Sequence, residues 1–462
     1  MSDNRARIPN VRTGSVGRHL VRLTIPTIGG MFAITVFNLT DTFFVSRLGT
    51  EELAAMGFTF PVVMLAGALA TGMALGASSV LARAVGKQDH HLANRIATDG
   101  ILLTVLMVII VSSIGLATMD PLFRLLGANE ATLPLVREYM SVWYLGAIAV
   151  IMPPVGDSSM RALGDMKRPF IVMLVCAVMN LILDPILIFG LLGFPAMGLR
   201  GAALATVISR AAGMVTTLSF VHFHYRLIDF RYESLSELFA SWRRILHIGV
   251  PAAVVRLFPQ LLRAVLTRLA AGVGGVAAVA AVAAGTRIES FAMIVSMAAG
   301  TALVPVIGQN WGAGAFDRVD EARRLMNRTA VIYGAVLFVV ALPAAGPLAS
   351  IFSDVPEVIA YARWYLRFAM LGTIGLSLYN WTSQELNAAG RPRWVIVINV
   401  AGTLAIIMPL TVLGADLFAF RGMVGGLVVG QLVLGFLATR IGRRELCDPD
   451  PRASASIGVH AR

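Results

Sequence analysis

Two aspartates stand where aspartates are costly. Asp41 and Asp184 each interrupt a long apolar run, Asn38 and Asn180 lie one helical turn from them, and Thr206 interrupts a third run. Ionisable groups in such surroundings mark ion or proton pathways. Carboxylate, amide and hydroxyl oxygens are also the ligands that hard cations prefer. Asp41 is about five residues, or roughly 8 Å, from the C-terminal end of its run; Asp184 is about eight residues, or roughly 12 Å, from the end of its own. Thr206 lies at a similar depth in the third run. At one level, Asp41, Asn180, Asp184 and Thr206 make a Na⁺ site or a proton site with hydrogen-bonding neighbours. Burial disfavours the charged carboxylate and a bound cation favours it, so H⁺ and Na⁺ compete for such a place. A second reading stays open, with Asp41 hydrated near the rim and Asp184 tying helices together.

Further polar groups lie later in the chain. Arg256, Gln260 and Arg263 follow i, i+4, i+7 spacing, Arg268 comes beyond them, and Arg287 and Glu289 sit in the next apolar run. As cavity-lining groups, Glu289 suits a cationic part of a substrate and the arginines suit anionic parts. The alternative is that the arginines snorkel or pair internally. Pro26 falls mid-run, fifteen residues before Asp41, where a missing N–H permits a kink. Cys176 and Cys447 give neither a disulfide framework nor zinc spacing, and His222 and His224 at i, i+2 share no helix face. No resident cofactor is expected; Na⁺ or H⁺ is the coupling ion.

These groups need helices in a bilayer to hold them. The chain of 462 residues is 57% apolar and 14% charged, with mean hydropathy +0.77, against about 25% charged residues in soluble domains. Twelve apolar runs of membrane-spanning length lie between polar breaks: 20–46, 54–82, 96–118, 137–160, 169–192, 198–223, 245–271, 277–308, 326–347, 359–384, 393–414 and 421–440. The expected fold is an all-α polytopic membrane protein, with no room for a soluble catalytic domain or a large ectodomain. The polar, basic start (Arg5, Arg7, Arg12, Arg18) lacks a short apolar stretch with a cleavage site, so no removable signal is expected. Most of the 38 basic residues fall in the termini and one set of loops, and few in the opposite set. The positive-inside rule then puts both termini in the cytoplasm of an inner-membrane protein. Charge spread over many short loops speaks against nucleic acid as a partner.

The halves repeat at an offset of about 225 residues. Pro26 matches Pro251, the segment from Gly76 to Gly86 matches Gly300 to Gly312, Lys167-Arg168-Pro169 matches Gly390-Arg391-Pro392, and Arg200-Gly201 matches Arg421-Gly422. Six runs separate each pair, so the halves point the same way, related by a pseudo-two-fold axis along the membrane normal. The expected organisation is a six-helix lobe over 1–223, a cytoplasmic linker over 224–244, a second six-helix lobe over 245–445 and a polar tail over 446–462. Within the linker, Leu227, Phe230, Leu235, Leu238 and Phe239 make a short amphipathic stretch, which is either interfacial or a solvated tether. Asp41, Asn180, Asp184 and Thr206 map near Leu266, Thr403, Ile407 and Leu427, so three of four oxygens become hydrocarbon in the other half. Ion chemistry is therefore expected in the first lobe alone. Two such bundles follow the alternating-access design of secondary transporters.

The segments DTFFVSRLG (41–49), RALGDMKRP (161–169), NLILDPILIFG (180–190), GAALATVISR (201–210) and VIGQNWGAG (306–314) resemble the multidrug and toxin extrusion (MATE) family, most of all its DinF-like branch. The likeness implies an antiporter that exports cationic or amphipathic organic compounds in exchange for Na⁺ or H⁺. It also implies that Asp41, Asn180, Asp184 and Thr206 form the cation site and that Pro26 marks a bend of the first span. The family's other large branch uses acids in spans 7 and 10. Here span 7 is arginine-rich and span 10 has no acid before Glu385, so that scheme does not carry over. The expected partners are a small organic substrate and membrane lipid, and the protein is expected to act as a monomer. An enzyme is not expected, because no His-Asp or His-Glu grouping lies within a run. The rival transport reading is a flippase for a lipid-linked precursor with a basic cavity, which the intramembrane arginines favour.

Overall fold

A computed structural model describes residues 11–230 and 235–447, and every regular element among them is helical. In chain order these are α1 (Val16–Ser46), α2 (Thr50–Gly86), α3 (His90–Ala117), the short α4 (Met119–Leu125), α5 (Thr132–Leu145), α6 (Ala147–Ala162), α7 (Lys167–Phe189) and α8 (Gly198–Ser219). After them come α9 (Leu235–Val255), α10 (Phe258–Gly312), α11 (Phe316–Ser350), α12 (Pro356–Ala388), α13 (Pro392–Ile396) and α14 (Met408–Leu446). Phe220–His224, Val397–Ala401 and Thr403–Ile407 are wound as π-helix.

Twelve spans emerge once bends and breaks are recognised. The fourth is α5 plus α6, bent by 48° at Gly146. A Cβ on Gly146 would meet Val207 at 2.4 Å, so the bend also lets α8 approach. α10 holds two helices joined at Gly274 and Gly275, the latter with φ 58, and Arg263 reaches Ser290 across the hairpin. α14 likewise turns at Phe418 and Ala419, and a Cβ on Gly414 would lie 2.1 Å from the Gly422 carbonyl. Apolar side chains such as Val21, Phe60, Ile109 and Val339 lie exposed along the helices. In water that surface would drive aggregation, whereas lipid tails accept it.

The span expected at 245–271 is not one helix. α9 ends at Val255 and α10 begins at Phe258, because Pro259 lacks an N–H and its ring disfavours helical backbone just before it. Arg256 sits in that break, so it does not continue a single helical face with Gln260 and Arg263.

Contacts divide the chain into two compact units, one of residues 22–253 and the other of 11–21 with the chain from 254 onward. The first contains α2 to α8 and nearly all of α9. Its two apolar cores include Leu81, Ile96, Leu163 and Val172 in one, and Phe123, Trp143, Ile151 and Leu199 in the other. α9 is held on α2 because Gly72 and Gly76 lack side chains, and a Cβ on either would strike the Gly249 or Ile245 carbonyl within 2.5 Å. The indole N–H of Trp242 donates to the Asp99 carbonyl at 3.0 Å. The expected linker is thereby revised. Residues 235–244 are the first turns of α9, Leu227 is buried, and Phe230, Leu235 and Phe239 are exposed, so they do not share one buried face. Residues 231–234, and 448–462 of the tail, lie outside the described residues.

In the second unit the Asn310 amide donates to the Val11 carbonyl and Arg318 donates to the Gly14 carbonyl at 3.0 Å, fastening the segment before α1. The buried Arg323 pairs with Glu385 at 3.1 Å and also donates to the Thr439 carbonyl and Cys447. The repeat shows in matching ties. Asp165 caps α7 by accepting from the Lys167 and Arg168 N–H groups and accepts from Tyr225 past α8; Arg391 pairs with Glu445 near the end of α14.

Candidate functional site

α1 carries Asp41, α7 carries Asn180 and Asp184, and α8 carries Thr206. The register of α7 against α8 is set by two close approaches. Gly201 lies against the Leu187 carbonyl, where a Cβ would be 2.4 Å away, and Gly213 lies against the Cys176 sulfur at the same separation. Those antiparallel anchors put Thr206, between them, level with 180–184. α7 ends at Gly190 in the left-handed region (φ 74), which turns the chain back into α8. From α1, Asp41 comes close enough for its charge to act on Asp184. Tyr139 of α5 feels both carboxylates.

All four side chains are buried: Asn180 and Asp184 fully, Asp41 and Thr206 to 6% exposure. Asn180 Nδ2 donates to Asp184 Oδ1 at 2.9 Å, which orients both groups. The other oxygens are left over. Asp41 Oδ1, Asn180 Oδ1, Asp184 Oδ2 and Thr206 Oγ1 are buried without a hydrogen-bond partner, and Ser209 Oγ joins them one turn from Thr206. A buried polar atom without a partner costs about 1–3 kcal/mol, and a carboxylate more. Several such atoms in one lobe are oxygens that could act as cation ligands or proton acceptors. Two carboxylates with neutral oxygens suit a monovalent cation or protons. Among the described residues no three His, Cys, Asp or Glu side chains gather as a transition metal would require.

Asn38 is placed elsewhere. It lies on an exposed face, and its carbonyl accepts from Thr42 Oγ1. The buried residue one turn before Asp41 is Phe37, at i, i+4. Pro26 lies inside an uninterrupted α1, where Thr27 Oγ1 donates to the Leu23 carbonyl at 2.8 Å.

A sequence profile described as MatE matches this chain twice, over residues 26–186 and 251–413. Together the matches cover well over half the chain, and their starts are offset by the spacing of the internal repeat. The chain belongs to the MATE family. It is 35% identical over 436 residues to a protein of Shewanella oneidensis named FAD transporter, covering 94% of this chain and 96% of that one. It is 24% identical to a Staphylococcus haemolyticus protein named multidrug export protein MepA, covering 92% of each. The fold matches the Vibrio cholerae MATE transporter VcmN in the bent form with a TM-score of 0.88 and 28% identity, over 94% of this chain and 99% of that one.

In the second unit of this MATE transporter, the hydrocarbon residues matching Asp41, Asp184 and Thr206 are inside the fold. Leu266, Ile407 and Leu427 are buried, and Thr403 and Ile407 bound a π-helical turn where the first unit has regular α7. Gln260, Arg263, Arg268 and Arg287 are exposed at the protein surface. Glu289 is half-buried and accepts from the buried Tyr365 hydroxyl at 2.8 Å.

Tyr139 and Ser209 escaped the sequence reading. Ser209 had a signal, its i, i+3 spacing from Thr206. Tyr139 had none, because its approach depends on how α5 packs. Arg210 was also passed over; its guanidinium carbon lies 4.4 Å from the centre of the Phe37 ring.

Proposed function

We propose that this MATE transporter is a secondary antiporter that exports a small amphipathic organic compound in exchange for Na⁺ or H⁺, acting as a monomer in the inner membrane with both termini in the cytoplasm. The supporting observation is the set of unpartnered buried oxygens on Asp41, Asn180, Asp184, Thr206 and Ser209. In this reading the ion enters from outside and completes the set, pulling α1 towards α7 and α8. The rearrangement lowers affinity for the organic substrate, which leaves outward. On the cytoplasmic side the ion departs and substrate is taken up again. Coupling requires that the two guests stabilise different arrangements of α1, since a ligand shifts a conformational equilibrium only through its differential affinity.

For the substrate, the side chains favour an organic anion with an aromatic part over a plain cation. Arg210 in the first unit places a half-buried guanidinium group inside a span, where a charge is a functional candidate, and Arg263, Arg268 and Arg287 in the second unit are exposed. The FAD transporter likeness agrees, because FAD joins a flat ring system to two phosphates. A flippase for a lipid-linked precursor was suggested by the same arginines. A soluble phosphate-bearing compound uses them equally, and the relatives described above are named as drug or FAD transporters.

Proteoliposomes test the proposal. FAD or ethidium flux is followed while a Na⁺ or pH gradient is imposed or collapsed, for the natural protein and for Asp41→Asn. The expected outcome is gradient-driven flux that falls at least tenfold in Asp41→Asn, with the variant still monodisperse in detergent. Full gradient-driven flux in Asp41→Asn overturns the assignment of the ion site. Greater flux of ethidium than of FAD overturns the anionic substrate and leaves the ion site standing.

A further inference from the structure

Arg210 is the one guanidinium group lodged mid-helix in α8, and its surroundings are unusual. The side chain is half-buried. Among the described residues its ring partner is Phe37, and its Nε is buried without a hydrogen-bond acceptor. Among the described residues no carboxylate lies within ion-pair distance of it. Asp157 of α6 is near enough to act through charge, but it is shared with Arg161 and accepts a hydrogen bond from Thr217 Oγ1 at 2.7 Å. Cys176 is the remaining titratable neighbour. Two guanidinium groups against one carboxylate leave this level of the first unit positive. An aromatic face attracts a cation without neutralising it or accepting its in-plane N–H groups. The donor edge of Arg210 is therefore short of an anion.

We propose that Arg210, backed by Phe37, is the residue through which the first unit recognises an anionic group, of phosphate or phosphate-ester type, on the transported compound. This rests on the anionic-substrate reading above and gives it a specific contact. A guanidinium fork matches phosphate oxygens with paired hydrogen bonds, and Phe37 holds its plane from behind. The placement also links substrate to ion. Phe37 is one turn from Asp41 on α1, and Arg210 is one turn from Thr206 on α8. α1 and α8 thus carry two adjacent rungs, one of cation-seeking oxygens and one with a fixed cation. A shift of α1 that closes the oxygen rung around an ion also moves Phe37 against Arg210, so the two guests are read by the same helix pair.

The test uses flavins that share a ring system and differ in charge. Binding of riboflavin, FMN and FAD to the purified full-length protein is measured by quenching of flavin fluorescence. For the natural protein, FMN and FAD are expected to bind at least tenfold more tightly than riboflavin. In Arg210→Gln that preference falls to within about twofold, while riboflavin affinity changes little. Arg210→Lys keeps the charge and loses the fork, so part of the preference returns. Phe37→Leu reduces it several-fold. A merely structural role for Arg210 would move all three flavins together. An unchanged FMN-to-riboflavin ratio in Arg210→Gln overturns this inference and leaves the anionic-substrate reading intact. If Arg210→Gln does not fold, an unchanged ratio in both Arg210→Lys and Phe37→Leu overturns it. No preference for FMN or FAD over riboflavin in the natural protein overturns both.

Discussion

At the level of single residues, neighbours decide what a buried acid does. Asp184 and Asp165 both accept side-chain hydrogen bonds, yet they stand in opposite situations. Asp184 has one partner for two oxygens and a second carboxylate nearby. Asp165, in the connection before α7, is satisfied by the Lys167 and Arg168 N–H groups, the Tyr225 hydroxyl and the Arg168 guanidinium. Burial pushes the Asp165 carboxyl up, but the bonds from Tyr225 and the backbone, with the charge of Arg168, outweigh it and hold it below its ordinary value. The same carboxylate pushes the Tyr225 phenol up, on top of the effect of burial. A carboxyl lowered in the folded state adds stability above its unfolded value, and that stability is lost as pH falls through the lowered one. Asp165→Asn should therefore lower thermal stability by about 1–3 kcal/mol at neutral pH. The gap from the natural protein should close only in acid, below the usual carboxylate range. Unfolding midpoints in detergent across pH measure this, and a gap independent of pH would contradict the assigned role.

Among elements, close approach of α7 and α8 brings Asn180, Asp184 and Thr206 level. It depends on Gly201 and Gly213 rather than on the ligands themselves. A Cβ at Gly201 would meet backbone at Leu187, and backbone gives way only by moving a helix. Gly201→Ala is expected to destabilise by about 1–3 kcal/mol through overpacking. It should also weaken ion-dependent quenching of intrinsic fluorescence at least as strongly as Thr206→Ala does. A variant with natural ion affinity would show that the site tolerates separation of these helices. The repeat provides a contrast: the counterpart of α7 is π-wound over Thr403–Ile407 and carries hydrocarbon at the matching depth.

For the molecule as a whole, the two halves repeat, yet three of the four oxygen-bearing residues of the first have hydrocarbon counterparts in the second, Thr403 being the exception. In the proposed orientation, which rests on the positive-inside rule, both termini and the connection after α8 share one side of the membrane. A protease-cleavable tag after Arg462 should be protected from external protease in intact spheroplasts. The same tag inserted at Gly193, in the exposed turn between α7 and α8, should be cut. Cleavage of the terminal tag in intact cells would reverse the orientation and with it the direction of the proposed exchange.

Much of this was legible in the linear chain. Apolar runs of spanning length, the charge asymmetry, the 225-residue repeat and the four oxygen-bearing residues all follow from local chemistry, because a bilayer penalises each misplaced polar group separately. Tertiary packing decided the rest. Phe37 rather than Asn38 shares the buried face with Asp41: both stand one turn away, and only the packing of α1 decides which of them faces inward. The seventh span breaks at Arg256–Leu257, and the expected linker became the start of α9, because Pro259 and the glycines of α2 act through backbone and neighbours. Arg210 drew no notice among apolar residues; its missing acceptor is visible only once every group around it has been placed.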